Sequence, residues 1–142
     1  MTTFCLEHYP DDPSVADRTD LLRRIPPWHF VADQNLGVIR PSSAAFEDDD
    51  DEDPMSVYLA QVVAAEGRQA SSVLAGHDGY GLASITAGLV REKGQTVHPD
   101  PLPDETSHAV VCGDKLSGGK KSAKKTFAMT AKWVVRPPEA KL

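Results

Sequence analysis

Long apolar runs, cysteine and aromatic residues are all scarce in this 142-residue chain, and each scarcity removes a class of function. No window approaches the roughly 18 consecutive apolar residues that a membrane helix needs, so no membrane partner is expected. Met1 to Pro10 has neither the basic start nor the apolar stretch of a secretory leader, which points to a cytoplasmic protein. The only two cysteines, Cys5 and Cys112, lie far apart and match no zinc spacing. Without an export signal they are expected as free thiols. Four phenylalanines, two tryptophans and three tyrosines, in a chain of net charge −6, fall short of the basic, aromatic-interleaved pattern of a nucleic-acid module.

Hydrophobic residues make up 40% of the chain and charged residues 25%, enough to build one packed core. Residues 1–19, with Pro10, Pro13 and the Asp11-Asp12 pair, read as an N-terminal arm. Residues 20–138 then form a single domain and 139–142 a tail. Within the domain, 21–25 suits a strand, with Arg23 and Arg24 on opposite faces. Asn35 to Gly37 supplies a turn between the apolar pieces 28–31 and 38–40, a hairpin signal. Asp53-Pro54 can open a helix over 55–66 closed by Gly67, although 56–59 serves equally as a strand. Leu82, Ile85 and Leu89, with Thr86 and Val90, recur at helical spacing and predict a helix capped by Gly94. Thr96 and Val97 form a short extended piece, prolines 99, 101 and 103 keep the next segment non-helical, and 108–112 resumes as a strand. From Ser122 the positions Ala123, Phe127, Ala131 and Val134 lie along one side of a helix, with 133–135 a possible closing strand. The expectation is an α+β fold with a small mixed or antiparallel sheet packed with two or three helices.

Charge is divided unevenly. Residues 1–60 carry thirteen acids and four bases (−9), and 61–142 carry eight acids and eleven bases (+3). The acid run from Glu47 to Asp53 repels itself and is expected as an exposed, mobile loop. Its counterpart is the lysine cluster Lys115, Lys120, Lys121, Lys124 and Lys125, with Lys132 beyond it, where the start of a helix adds free N–H groups. Gly113 to Ser122 invites comparison with the phosphate-binding loop GxxxxGK[ST], but Gly119 occupies the lysine position. On that spacing the loop is a near miss, and nucleoside triphosphatase chemistry is not expected. The cluster fits instead an acidic protein surface or a phosphorylated ligand, including the Glu47–Asp53 run of a second copy in a homo-oligomer.

Two other groups of residues bear on chemistry. His98, Asp100, Asp104, Glu105, His108 and Cys112 are all capable of binding metal, yet their spacing matches no metal motif, and none is expected. His98 or His108 suits general acid–base work beside carboxylates, with His77-Asp78 as a rival. Arg23, Arg24, Arg40, Ser42, Ser43, Tyr58 and Glu66 form the second group. Over residues 21–66 their layout resembles that of RES-type toxins and related ADP-ribosyltransferase-like enzymes, without the glycine-rich segment that precedes the tyrosine of that family. The resemblance implies an arginine on a pyrophosphate and Glu66 opposite positive charge developing on a ribose. The main expectation is a small accessory protein that contacts an anionic partner, without a cofactor, through its basic C-terminal surface. The alternative is a small enzyme for a nucleotide or NAD-like substrate, with Arg23, Arg40, Glu66 and His108 at its site.

Overall fold

The computed structural model describes residues 3–35, 37–50 and 52–137. Numbered in chain order, its strands are β1 (Asp20–Ile25), β2 (Phe30–Asp33), β3 (Val38–Pro41), β4 (Met55–Leu59), β5 (Gly81–Thr86), β6 (Thr96–Pro99), β7 (His108–Cys112) and β8 (Lys132–Val135). Its α-helices are α1 (Thr3–His8), α2 (Ala60–Ala65), α3 (Ala87–Glu92) and α4 (Ala123–Thr130). Six strands form one sheet in the order β6-β7-β4-β1-β5-β8, and every neighbouring pair is antiparallel. The fold is α+β, with a separate β2–β3 hairpin. It carries one helix more than expected among the described residues.

Alternation along the strands sorts the sheet into two faces. Leu21 and Ile25 of β1, Met55 and Val57 of β4, and Ala109 and Val111 of β7 point to the larger core, where Phe46, Val90 and Phe127 cover them. Leu22, Tyr58 and Leu82 point the other way and meet Val63 and Val73. Arg23 and Arg24 therefore occupy opposite faces, as the period of two requires.

The segment from 82 to 90 departs from expectation. It is strand β5 followed by α3, whose first turn is capped by Thr86 Oγ1 accepting from Leu89 N. β5 lies between β1 and β8, so Leu82, Ala83 and Ile85 are all buried and the two faces lose the contrast that marks a strand. Met55 to Ala65 likewise divides into β4 and α2. The hairpin is as expected, and Gly37 takes the positive φ of +67° that its turn requires. Leu36, between Asn35 and Gly37 in the sequence, lies outside the described residues.

Cys5 and Cys112 are not free thiols. Although 107 residues apart, they form a disulfide with a Cα–Cα distance of 5.5 Å. The arm folds back across β6 and β7, which places α1 against the sheet whatever the sequence separation. Arg91 clamps the same arm through Asp11 (3.1 Å), Asp17 (2.7 Å) and the Asp12 carbonyl (2.9 Å).

A second clamp joins the turn after α2 to the segment before β7. Arg68 makes a bidentate pair with Glu105 at 3.2 and 2.6 Å and also reaches Glu66 at 3.0 Å. The Arg68 hydrogen bond, with Ser107 behind it, holds the Glu105 carboxyl down to about 2 against an ordinary 4.5. Between those values the unfolded chain binds the additional proton, so stability rises with pH there. Acidification from pH 4.5 to 2 should therefore remove on the order of 2 kcal/mol through this residue. Urea titrations across that range should show Arg68→Ala losing most of the difference.

Candidate functional site

The basic C-terminal surface is built around α4. Gly118, at φ +104°, turns the chain so that Lys120 and Lys121 precede the helix, and Ser122 caps it by accepting from Lys125 N. Ala123, Phe127 and Ala128 face inward, where the Phe127 ring meets Phe46 with centroids 6.2 Å apart. The opposite side carries Lys125 and Met129 outward. Between this side and the β2–β3 hairpin runs a groove of about 380 Å³. Val31, Ala128 and Met129 supply its apolar floor, and Arg40, Ser42, Ser43, Lys120 and Lys125 its polar wall.

Not every cation of the cluster is available. Lys115 is buried, with Nζ donating to the carbonyls of Val111 (2.9 Å) and Gly113 (3.2 Å) and paired with Asp48 Oδ1 at 2.6 Å. Burial pushes its ammonium below the ordinary lysine value, and Asp48 opposes the shift. Lys124 is paired with Glu47 at 2.9 Å. These two lysines therefore do not belong to an open anion-binding rim. Lys120, Lys121, Lys125 and Lys132 remain exposed, and no carboxylate pairs with them among the described residues.

The acidic run is correspondingly less free than repulsion alone predicts. Glu47 and Asp48 face inward to these lysines, and Asp48 Oδ1 also accepts from Met55 N. Asp49 N donates to the Asp53 carbonyl and closes the turn. The carboxylates also offset Arg23, which donates to the carbonyls of Ala45 and Ser56, both at 2.8 Å. Desolvation lowers the Arg23 pKa, and Asp49 and Asp48 oppose that shift. The run thus neutralises buried cations at one end and stays exposed at the other. Asp51 lies outside the described residues.

Arg40, Ser42 and Ser43 meet in the groove with Lys120 and Lys125. Arg40 is committed to Asp33 at 3.1 Å, whereas neither serine hydroxyl has a hydrogen bond among the described residues. The remaining members of the ADP-ribosyltransferase-like layout do not join them. Arg23 is buried beneath Ala45, Glu66 is held by Arg68 and Thr106, and Tyr58 lies beneath the Arg24 guanidinium. His108, on β7, shares the sheet face of its β4 partner Tyr58, with ring centroids 5.8 Å apart.

The metal-capable residues do not gather into one site, although Asp100 and His108 are in contact. Cys112 is consumed in the disulfide and His98 Nδ1 contacts the Pro10 carbonyl at 2.9 Å. No group of three potential ligands forms among the described residues. His77 contacts its own turn at the Ala75 carbonyl.

Sequence reasoning missed Val31 and Met129 as the groove floor, and Ser56 as a partner of His108. No linear signal marks such residues, because the contacts span up to about a hundred positions. No family model, curated protein or solved structure matches the chain.

Proposed function

We propose that this chain is a small accessory protein that holds an acidic segment of a partner protein in the groove between α4 and the hairpin. The observation that carries the reading is the placement of Lys120 and Lys125, unpaired among the described residues, beside the Ser42 and Ser43 hydroxyls, which have no hydrogen bond among those residues, over an apolar floor. Lysines and hydroxyls receive carboxylates, while Val31, Ala128 and Met129 receive an apolar side chain. A phosphorylated ligand would use the same polar wall without needing that floor. Self-association through the acidic run is the weaker fit, because Glu47 and Asp48 are already engaged within their own chain.

No helix among the described residues is long and apolar enough to cross a membrane. The cystine suits an oxidising compartment better than the cytoplasm expected from the sequence.

The groove predicts a measurable affinity for a fluorescent Asp/Glu-rich peptide containing leucine. Anisotropy should show binding that weakens as salt rises, since screening reaches exposed charges. Lys120→Glu with Lys125→Glu should weaken it at least tenfold, and Lys132→Glu should change it less than twofold. Equal loss in both variants would reduce the surface to general charge attraction. Competition by phosphoserine alone, with no dependence on the leucine, would identify a phosphorylated ligand.

A further inference from the structure

We infer that Ser56, His108 and Asp100 form a hydrolytic relay for small acyl esters, separate from the groove. In the antiparallel β4–β7 ladder Ser56 pairs with Val110 and Tyr58 with His108, so Ser56 and His108 are diagonal neighbours on one face. Ser56 Oγ is 3.0 Å from His108 Nε2. On the other side of the ring, His108 Nδ1 is 2.9 Å from the Asp100 carbonyl and 3.4 Å from its carboxylate Oδ2.

These contacts settle where the imidazole proton sits. A backbone carbonyl can only accept, so Nδ1 carries the hydrogen and Nε2 presents a lone pair to the serine hydroxyl. That is the tautomer a general base requires beside a serine nucleophile. The geometry is also held firmly. His108 is only 8% exposed, it stands edge-on to Tyr58, and Asp100 N donates to the His108 carbonyl at 2.9 Å. The Arg23 guanidinium donates to the Ser56 carbonyl from the opposite face and fixes the strand.

Positive charge is close by. Continued by two residues, the β1–β4 register that pairs Leu22 with Tyr58 sets Arg24 opposite Ser56. The Arg24 guanidinium lies 4.4 Å over the Tyr58 ring, and Nε donates to the Val73 carbonyl. Its two Nη groups make no hydrogen bond among the described residues. They are the donors available to an oxyanion on this face. Ser56 itself is half-buried.

In the relay, Ser56 Oγ bonds to the ester carbonyl carbon as its proton passes to His108 Nε2. Asp100 acts as a positioning residue and faces the imidazolium that forms. Collapse breaks the bond to the leaving oxygen, which takes the proton from Nε2 and departs as an alcohol. Water then attacks the acyl-serine, delivers a proton to Nε2, and releases the carboxylic acid as the proton returns to Ser56.

The test uses the full chain with a fluorophosphonate probe and intact-mass detection. One phosphonyl group per chain is expected, localised to Ser56 by peptide mapping. His108→Gln should slow labelling at least tenfold and flatten its pH dependence without altering the nucleophile, and Asp100→Asn should slow it several-fold. Ser84→Ala, a half-buried serine of the same face, should label as the parent does. p-Nitrophenyl acetate should give an initial burst of nitrophenol close to one equivalent, absent in Ser56→Ala. No adduct on Ser56, or equal labelling of parent and His108→Gln, would overturn the relay and leave a structural hydrogen-bond network.

Discussion

Replacing Cys5 and Cys112 together with serine should lower the free energy of unfolding by about 3 to 4 kcal/mol, measured by urea titration of the oxidised parent and the double variant. The cross-link closes a loop of more than a hundred residues, given the sequence separation of 107, and so strongly restricts the unfolded chain. The folded state loses less. The arm keeps its Arg91 contacts to Asp11 and Asp17, and Asp12 N still donates to the Val97 carbonyl at 2.9 Å. Circular dichroism should therefore remain that of the parent while the urea midpoint falls and the slope increases, as expected when the unfolded chain expands. An unchanged midpoint would show that the link contributes no net stability. Alkylation of the protein at the moment of cell lysis reads the compartment as well: two modified cysteines mark a reducing one and none an oxidising one.

Asp48→Ala is expected to cost about 3 kcal/mol, the second large effect, because it leaves the Lys115 ammonium buried without its counterion. Lys115 retains only the carbonyls of Val111 and Gly113. Lys115→Met should cost less. It removes the charge that had to be desolvated and leaves Asp48, whose side chain is 28% exposed, within reach of water. The double variant should then recover most of the Asp48→Ala loss, and a double-mutant cycle should give a coupling of about 2 kcal/mol. Simple additivity would show that Asp48 acts through its hydrogen bond from Met55 N instead.

The pair also explains the lopsided charge of the chain. Acids of the first half serve cations of the second: Asp48 pairs with Lys115, Glu47 with Lys124, and Asp11 with Arg91. The surface left open to a partner is the remainder after this internal neutralisation. A count of lysines along the chain therefore overstates the charge available for binding.

Local patterns decided a good part of the fold. The strand-like 21–25, the Asn-to-Gly turn of the hairpin, the apolar run 108–112, the helical side that begins at Ser122 and the β-prone 133–135 each express a preference their own neighbours enforce. Arg40 with Ser42 and Ser43, and Lys120 with Lys125, were legible as candidates for two different sites. Their meeting in one groove was not, because it depends on how the hairpin and α4 settle on the same sheet face. The 82–90 segment was misleading for a related reason: a strand buried on both sides carries no polar face to set its period.

By itself the sequence determined the α+β class, the hairpin turn and the uneven division of charge, all of which arise from interactions within a few residues or from bulk composition. Only the tertiary structure decided which cations are neutralised, that Cys5 meets Cys112, and that Ser56 stands beside His108. Those outcomes depend on strand order and register, which bring together groups tens of residues apart and which local propensity does not encode.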